Sequence, residues 1–203
     1  MNQHEQHPTP GVDDSGEPGG STGKDPARPR VVLIGPPGAG KSTTGALLAE
    51  RLGVVVHDTD AAVEAEAGRS ISDIFLTAGE SGFRALEKAA VAAALRDQRG
   101  VVALGGGAVL DPDTQSLLAG HQVIFLDVGI ADAADRIGFN RSRPLLAVNP
   151  RATWVALMDA RRPIYQRLGR LRVDTTGRSA EQVCDDILAW LRCPTTTEGR
   201  GDD

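Results

Sequence analysis

The chain has 203 residues, 40% of them hydrophobic and 24% charged, with a formal net charge of −5. That length suits one folded unit with extensions at its ends, and the apolar share is enough for a real core. The acidic balance argues against nonspecific binding to nucleic acid or an anionic membrane, both of which draw on a basic surface, and favours a small-molecule ligand.

Residues 1–28 are rich in Gly, Pro, Asp, Ser and Thr and hold almost no large apolar side chains. Such a stretch cannot offset its ordering entropy, so it is expected to be a disordered tail. The folded domain is expected over 29–193, followed by a flexible tail over 194–203. The N-terminus shows no apolar signal segment and no apolar run reaches membrane-spanning length, so a cytoplasmic location is expected. Cys184 and Cys193 stand outside any Cys-x-x-Cys pair or histidine cluster and read as reduced thiols.

The first apolar run, Val31-Val32-Leu33-Ile34, predicts a strand. Directly after it, Gly35-Pro36-Pro37-Gly38-Ala39-Gly40-Lys41-Ser42 fits Gly-x4-Gly-Lys-Ser, and a helix is predicted over 42–52. Strand, motif and helix in that order form the context a phosphate-binding loop requires. Glycines let backbone N–H groups wrap a polyphosphate and the helix start adds positive potential. Lys41 would reach the β- and γ-phosphates, and the Ser42 hydroxyl would face Mg²⁺.

A second strand is predicted over 54–56, leading into Asp58-Thr59-Asp60. In extended chain, residues two apart point the same way, so two carboxylates would face one site. One could hold Mg²⁺ while the other receives a proton from an attacking hydroxyl. The alternative is that Thr59 or Asp60 caps a helix over 61–67. A helix follows over 80–96, then the strand Val101-Val102-Ala103-Leu104 and the turn Gly105-Gly106-Gly107. Beyond a helix over 112–119 comes the strand Val123-Ile124-Phe125-Leu126, ending in Asp127. This aspartate has the form of the metal partner of an ATPase or motor, and equally of a polar strand end. Helices over 131–137 and 152–168, a strand at 171–173 and a helix over 180–191 complete the pattern. The near-continuous apolar runs read as strands buried on both faces. Alternation with helices predicts an α/β fold, a parallel sheet covered by helices, with ligands at the strands' carboxyl ends. No Asn-Lys-x-Asp is present to read guanine, which excludes a GTPase switch.

The ordered set of Gly35 to Ser42, Asp58-Thr59-Asp60, Phe83-Arg84, Gly105-Gly106-Gly107, Arg143-Pro144-Leu145-Leu146 and Arg161-Arg162-Pro163-Ile164-Tyr165 closely resembles bacterial shikimate kinases. The resemblance spans about residues 30 to 192. It implies a three-layer P-loop fold of nucleoside-monophosphate-kinase type, with a five-stranded parallel sheet and a mobile lid at about 139–150. It also implies transfer of the γ-phosphate of ATP, with Mg²⁺, to the 3-hydroxyl of shikimate by a monomer. A gluconate-type sugar-acid kinase and a non-catalytic module of the same fold are the alternatives.

Carried onto this chain, the resemblance assigns the nucleotide to Gly38, Ala39, Gly40, Lys41, Ser42 and Thr43, with Arg136 and Arg178 flanking adenine. It gives the metal to Ser42 and Asp58, and catalysis to Lys41, Asp60 and Arg143. Arg84 and Arg161 match the arginines that grip the acceptor carboxylate, a task for which a planar fork suits better than a lysine. Arg84 also sits four residues after Glu80 and three before Glu87, so helix-face ion pairs are the alternative there. Asp60, Gly105, Gly106 and Gly107 would meet the ring hydroxyls. Phe75 and Phe83 would form apolar walls of the pocket or belong to the ordinary core. Arg143 lies in the polar stretch before Pro144, as a lid or a solvated loop would. Phe139 departs from the small residue expected in the lid.

Overall fold

The computed structural model describes residues 28–138 and 149–192. Five strands, β1 (Val31–Ile34), β2 (Val56–Asp58), β3 (Val101–Ala103), β4 (Val123–Asp127) and β5 (Leu171–Asp174), form one sheet in the order β2-β3-β1-β4-β5. Every pairing is parallel. Val32 pairs with Val102 on one side and Val123 on the other, which makes β1 the central strand. All its residues are buried, as an unbroken β-branched and apolar run demands. The carboxyl ends of the five strands therefore share one edge, with the turn after Ile34 at its middle.

Around the sheet lie α1 (Lys41–Leu52), α2 (Thr59–Ala67), α3 (Ile71–Asp97), α4 (Pro112–Leu118), α5 (Ile130–Ile137), α6 (Pro150–Leu168) and α7 (Ala180–Arg192), with a 3₁₀ turn at Ala108–Leu110. The main core joins β1, β3 and β4 to α1, α6 and α7, and within it Phe125 stacks on Tyr165 at 5.1 Å between ring centroids. A smaller cluster of Val63, Ile74, Phe83 and Ala90 holds α2 against α3. Among the described residues, no helix is long and apolar enough to cross a membrane.

Three local expectations need correction. Burial on both faces fails for the two edge strands: β2 begins at Val56, with Val55 and Val56 67% and 40% exposed, and in β5 only Val173 is buried while Arg172 is exposed. Being at the sheet edge, β2 lacks a neighbour on one side. The extended geometry proposed for Asp58-Thr59-Asp60 ends at Asp58, because α2 starts at Thr59. The cap of α2 is Asp58, not Thr59 or Asp60; its side chain accepts from the Asp60 and Ala61 amides.

The helix predicted from residue 80 is the second half of α3. Gly79 interrupts the element with φ 68° and ψ −177°, a conformation open to glycine, and the first half runs before it from Ile71. Ser70 caps that first half by accepting the Asp73 amide at 3.1 Å. The expected tails and lid lie outside the described residues, except that Arg28 is described and that Asn149 and Pro150 cap and open α6.

Candidate active site

The phosphate loop leaves β1 and enters α1 without a side-chain cap and without an acidic residue in the helix's first turn, so the first amides stay open to an anion. Gly40 turns the chain into the helix with φ 85°. The ammonium of Lys41 folds back on the loop, donating to the carbonyls of Gly35 at 2.8 Å and Pro36 at 3.1 Å. Burial lowers its pKa to about 8; the negative charges of Asp60 and Asp58 oppose that shift, and the Arg161 guanidinium adds to it. Four sequence-predicted residues from α1, the β2 end, α2 and α6 thus lie within one another's fields. Ser42 donates from Oγ to Asp58 Oδ2 at 2.7 Å, while Thr43 is exposed on α1.

Asp60 sits in the first turn of α2. Its Oδ1 is buried and finds no hydrogen-bond partner among the described residues. Burial first, then the neighbouring charges of Asp58 and Glu87, push its pKa up to about 6. Glu87 is buried, 3% exposed, and receives the Arg84 guanidinium at 2.6 Å; Arg84 also reaches Glu80 at 3.2 Å. The helix-face ion pairs of Arg84 are therefore made, and they hold its guanidinium against the glycine turn. A Cβ on Gly107 would overlap Arg84, and one on Gly105 would overlap Asp60 Oδ1 and lie 2.8 Å from Glu87 Oε1. Only bare backbone fits there.

Two features that sequence reasoning passed over fix that turn. The hydroxyl of buried Thr59 accepts from the Gly105 amide at 3.0 Å. The Gly106 carbonyl accepts from Arg161 at 3.1 Å and from the Tyr165 hydroxyl at 2.6 Å. Phe83 belongs to the smaller core cluster, whereas Phe75 is 39% exposed with its ring 4.7 Å from that of Phe83. A cleft of about 360 Å³, lined by Arg84, Glu87 and Gly107 together with Lys88, Leu110 and Asp111, adjoins the turn.

On the other flank, Arg136 donates to the Gly38 carbonyl at 3.2 Å and to Thr175 Oγ1 and O at 3.0 and 2.7 Å, joining the phosphate loop to the segment after β5. Arg178 is bound to Asp174 O, Gln182 O and Asp186. The indole of Trp154 on α6 donates to the Pro37 carbonyl at 3.1 Å, a contact with no short-range sequence signal. Asp127 lies at the end of β4 as expected, but its carboxylate is occupied by Arg162, Arg172 and the Val128 amide. Arg143 and Phe139 fall outside the described residues.

A family model described as shikimate kinase matches residues 37–192. Shikimate kinases of Streptomyces avermitilis and Thermobifida fusca are each 54% identical to this chain, over 163 and 165 residues. Those alignments cover 80% and 81% of this chain and 95% and 96% of the relatives. The chain belongs to the shikimate kinase family. Among solved structures, the shikimate kinase of Acinetobacter baumannii in complex with shikimate aligns with a TM-score of 0.75 and 30% identity, over 81% of this chain and 92% of that one. The shikimate kinase of Aquifex aeolicus aligns with a TM-score of 0.66 and 29% identity, over 80% and 95%. Lys41, Asp60, Arg161 and the glycine turn lie together at the carboxyl edge of the sheet.

Proposed function

We propose that this enzyme transfers the γ-phosphoryl group of MgATP to the 3-hydroxyl of shikimate, in the cytoplasm. The observation that carries the reading is the buried Oδ1 of Asp60, without a hydrogen-bond partner among the described residues, beside Lys41 and the Gly105–Gly107 turn. A buried acceptor without a donor is costly, and a substrate hydroxyl docked on the turn would supply the donor.

The residues present fit a magnesium nucleotide. The Ser42 hydroxyl and Asp58 carboxylate, 2.7 Å apart, are hard oxygen donors beside the phosphate-facing start of α1. Magnesium typically takes one or two such ligands and completes its shell with water and phosphate oxygens. When bound it neutralises charge on the β- and γ-phosphates. Lys41 would leave the Gly35 and Pro36 carbonyls for those oxygens. Asp60 would orient the 3-hydroxyl and take its proton as the oxygen bonds to the γ-phosphorus; the bond from that phosphorus to the bridging oxygen breaks and ADP departs.

Arg84 and Arg161 would hold the shikimate carboxylate, with Phe75 and Phe83 as apolar walls. Arg143 would neutralise the migrating phosphoryl group from the lid, and Arg136 and Arg178 would flank adenine. Coupled ADP release with MgATP against shikimate, quinate, gluconate and water tests the reading. Release should depend on shikimate and be much slower with the rest; equal rates with gluconate or water would overturn the acceptor assignment.

A further inference from the structure

Asp127 stands where a P-loop protein could place a metal-binding aspartate, yet its surroundings are cationic. The residue is 2% exposed. Its Oδ1 accepts the Val128 amide at 2.9 Å. Its Oδ2 accepts from Arg172 Nε at 2.9 Å and from Arg162 Nη1, with Arg172 Nη2 in ion-pair contact at 2.8 Å. Its own carbonyl accepts from the Thr175 amide at 2.8 Å. One carboxylate therefore joins the end of β4 to β5 and to α6.

The α6 partner matters most. Arg162 directly follows Arg161, whose guanidinium meets the Gly106 carbonyl. Neighbouring helical residues are set about 100° apart on one rigid backbone, so any roll of α6 that releases Arg162 also swings Arg161. Pro163, inside the helix, removes an intrahelical donor next to this pair, which gives side-chain anchors more say over the local backbone. Asp127 is buried while Arg162 is 34% exposed, and an ion pair that desolvates one partner contributes little net stability compared with apolar packing, so its main consequence here is geometric.

We infer that Asp127 is a positioning residue of the acceptor site: through Arg162 it fixes the rotation of α6 that aims Arg161 at the glycine turn, and it does not ligate the metal. This rests on the reading of Arg161 as an acceptor contact. Arg162→Gln is the clean variant, because Arg172 still neutralises Asp127 and no buried charge is stranded. It should stay folded, with the KM for shikimate raised roughly tenfold, the scale of a slightly misplaced binding group. The KM for MgATP and the Mg²⁺ activation midpoint should stay within about twofold, since neither depends on Arg161.

Arg162→Lys should recover part of the loss. Asp127→Asn should show the same selective pattern, and the double variant should be no worse than the worse single one, as for residues acting as a unit. An unchanged shikimate KM in folded Arg162→Gln, or a shifted Mg²⁺ midpoint in Asp127→Asn, overturns the inference. The unsubstituted enzyme is assayed alongside. If it shows no shikimate-dependent ADP release, the functional reading falls and takes this inference with it; if it is active and the variants keep a normal shikimate KM or shift the Mg²⁺ midpoint, the inference falls alone.

Discussion

Asp60 and Lys41 are displaced from their ordinary titration in opposite directions by one cause, the burial of a charge. Burial raises Asp60 from 3.8 to about 6 and lowers Lys41 from 10.5 to about 8. Between those values both are mainly charged, the pairing that proton acceptance and phosphate binding need. The log of kcat/KM should therefore fall as pH drops below about 6, because that quantity reports groups of the free enzyme. Asp60→Asn should remove that limb and cut turnover by about 10²–10⁴, the range for losing a positioned base. Stability should move the other way. A carboxyl whose folded pKa exceeds its unfolded one binds extra protons when folded between 3.8 and about 6, so stability is lost as pH rises through that window. Asp60→Asn should raise the melting temperature by a few degrees at about pH 8 and by less at about pH 4. Calorimetry at both pH values checks the sign; an equal gain at both would contradict it.

The arginines separate by role at the same scale. Arg84 is fixed beside the turn by Glu87 and Glu80. Arg84→Ala should raise the shikimate dissociation constant strongly. Arg143→Ala should lower kcat by about a hundredfold or more while weakening shikimate binding to the nucleotide-free enzyme only modestly, since cations on a migrating phosphoryl group contribute about 10³–10⁵ in related transfers. Binding calorimetry and steady-state kinetics on both variants decide the matter, and exchanged phenotypes would contradict the assignment.

Among elements, the glycine turn after β3 carries a strict steric demand. Gly105→Ala would drive a methyl group into Asp60 Oδ1 and to 2.8 Å from Glu87 Oε1. It should reduce kcat/KM for shikimate at least tenfold, since overpacking against fixed groups shifts them off their productive positions. Gly129→Ala, whose Cβ would meet nothing nearer than Thr176 at 3.5 Å, should leave the rate close to normal. Comparable losses in both variants would mean that the turn is merely fragile.

The legible elements were those with a local cause. β1 is apolar throughout and β4 is apolar up to its terminal Asp127 because both faces are covered, and the phosphate loop is defined by spacing alone. The first half of α3 escaped because two turns give little periodicity, although Ser70 with Asp73 three residues later was a readable start signal. The edge position of β2 depends on strand order, which no local pattern encodes. Of the candidate site, Lys41 and the loop glycines could be found from motif spacing, Asp58, Asp60 and the Gly105–Gly107 turn from their places after strands, and Arg161 only from the resemblance. Thr59 and Trp154 could not, because their partners Gly105 and Pro37 become neighbours only through the tertiary fold, whereas the Arg84–Glu87 pair is an i,i+3 contact that the helix spacing already offered.

At the scale of the whole molecule, the family match begins at residue 37 and ends at 192. Upstream of the buried strand β1, residues 1–28 carry almost no large apolar side chains. Deleting residues 2 to 28 should therefore leave kcat and melting temperature nearly unchanged. A loss of several degrees or of most of the rate would show that the segment supports the fold.

The central claim, phosphoryl transfer to the 3-hydroxyl of shikimate, is tested most directly by ³¹P and ¹H NMR of the products from MgATP and shikimate. The account predicts ADP and one phosphomonoester in equal amounts, with its phosphorus coupled to the proton on C3. Release of inorganic phosphate alone, or an ester on another hydroxyl, would contradict it.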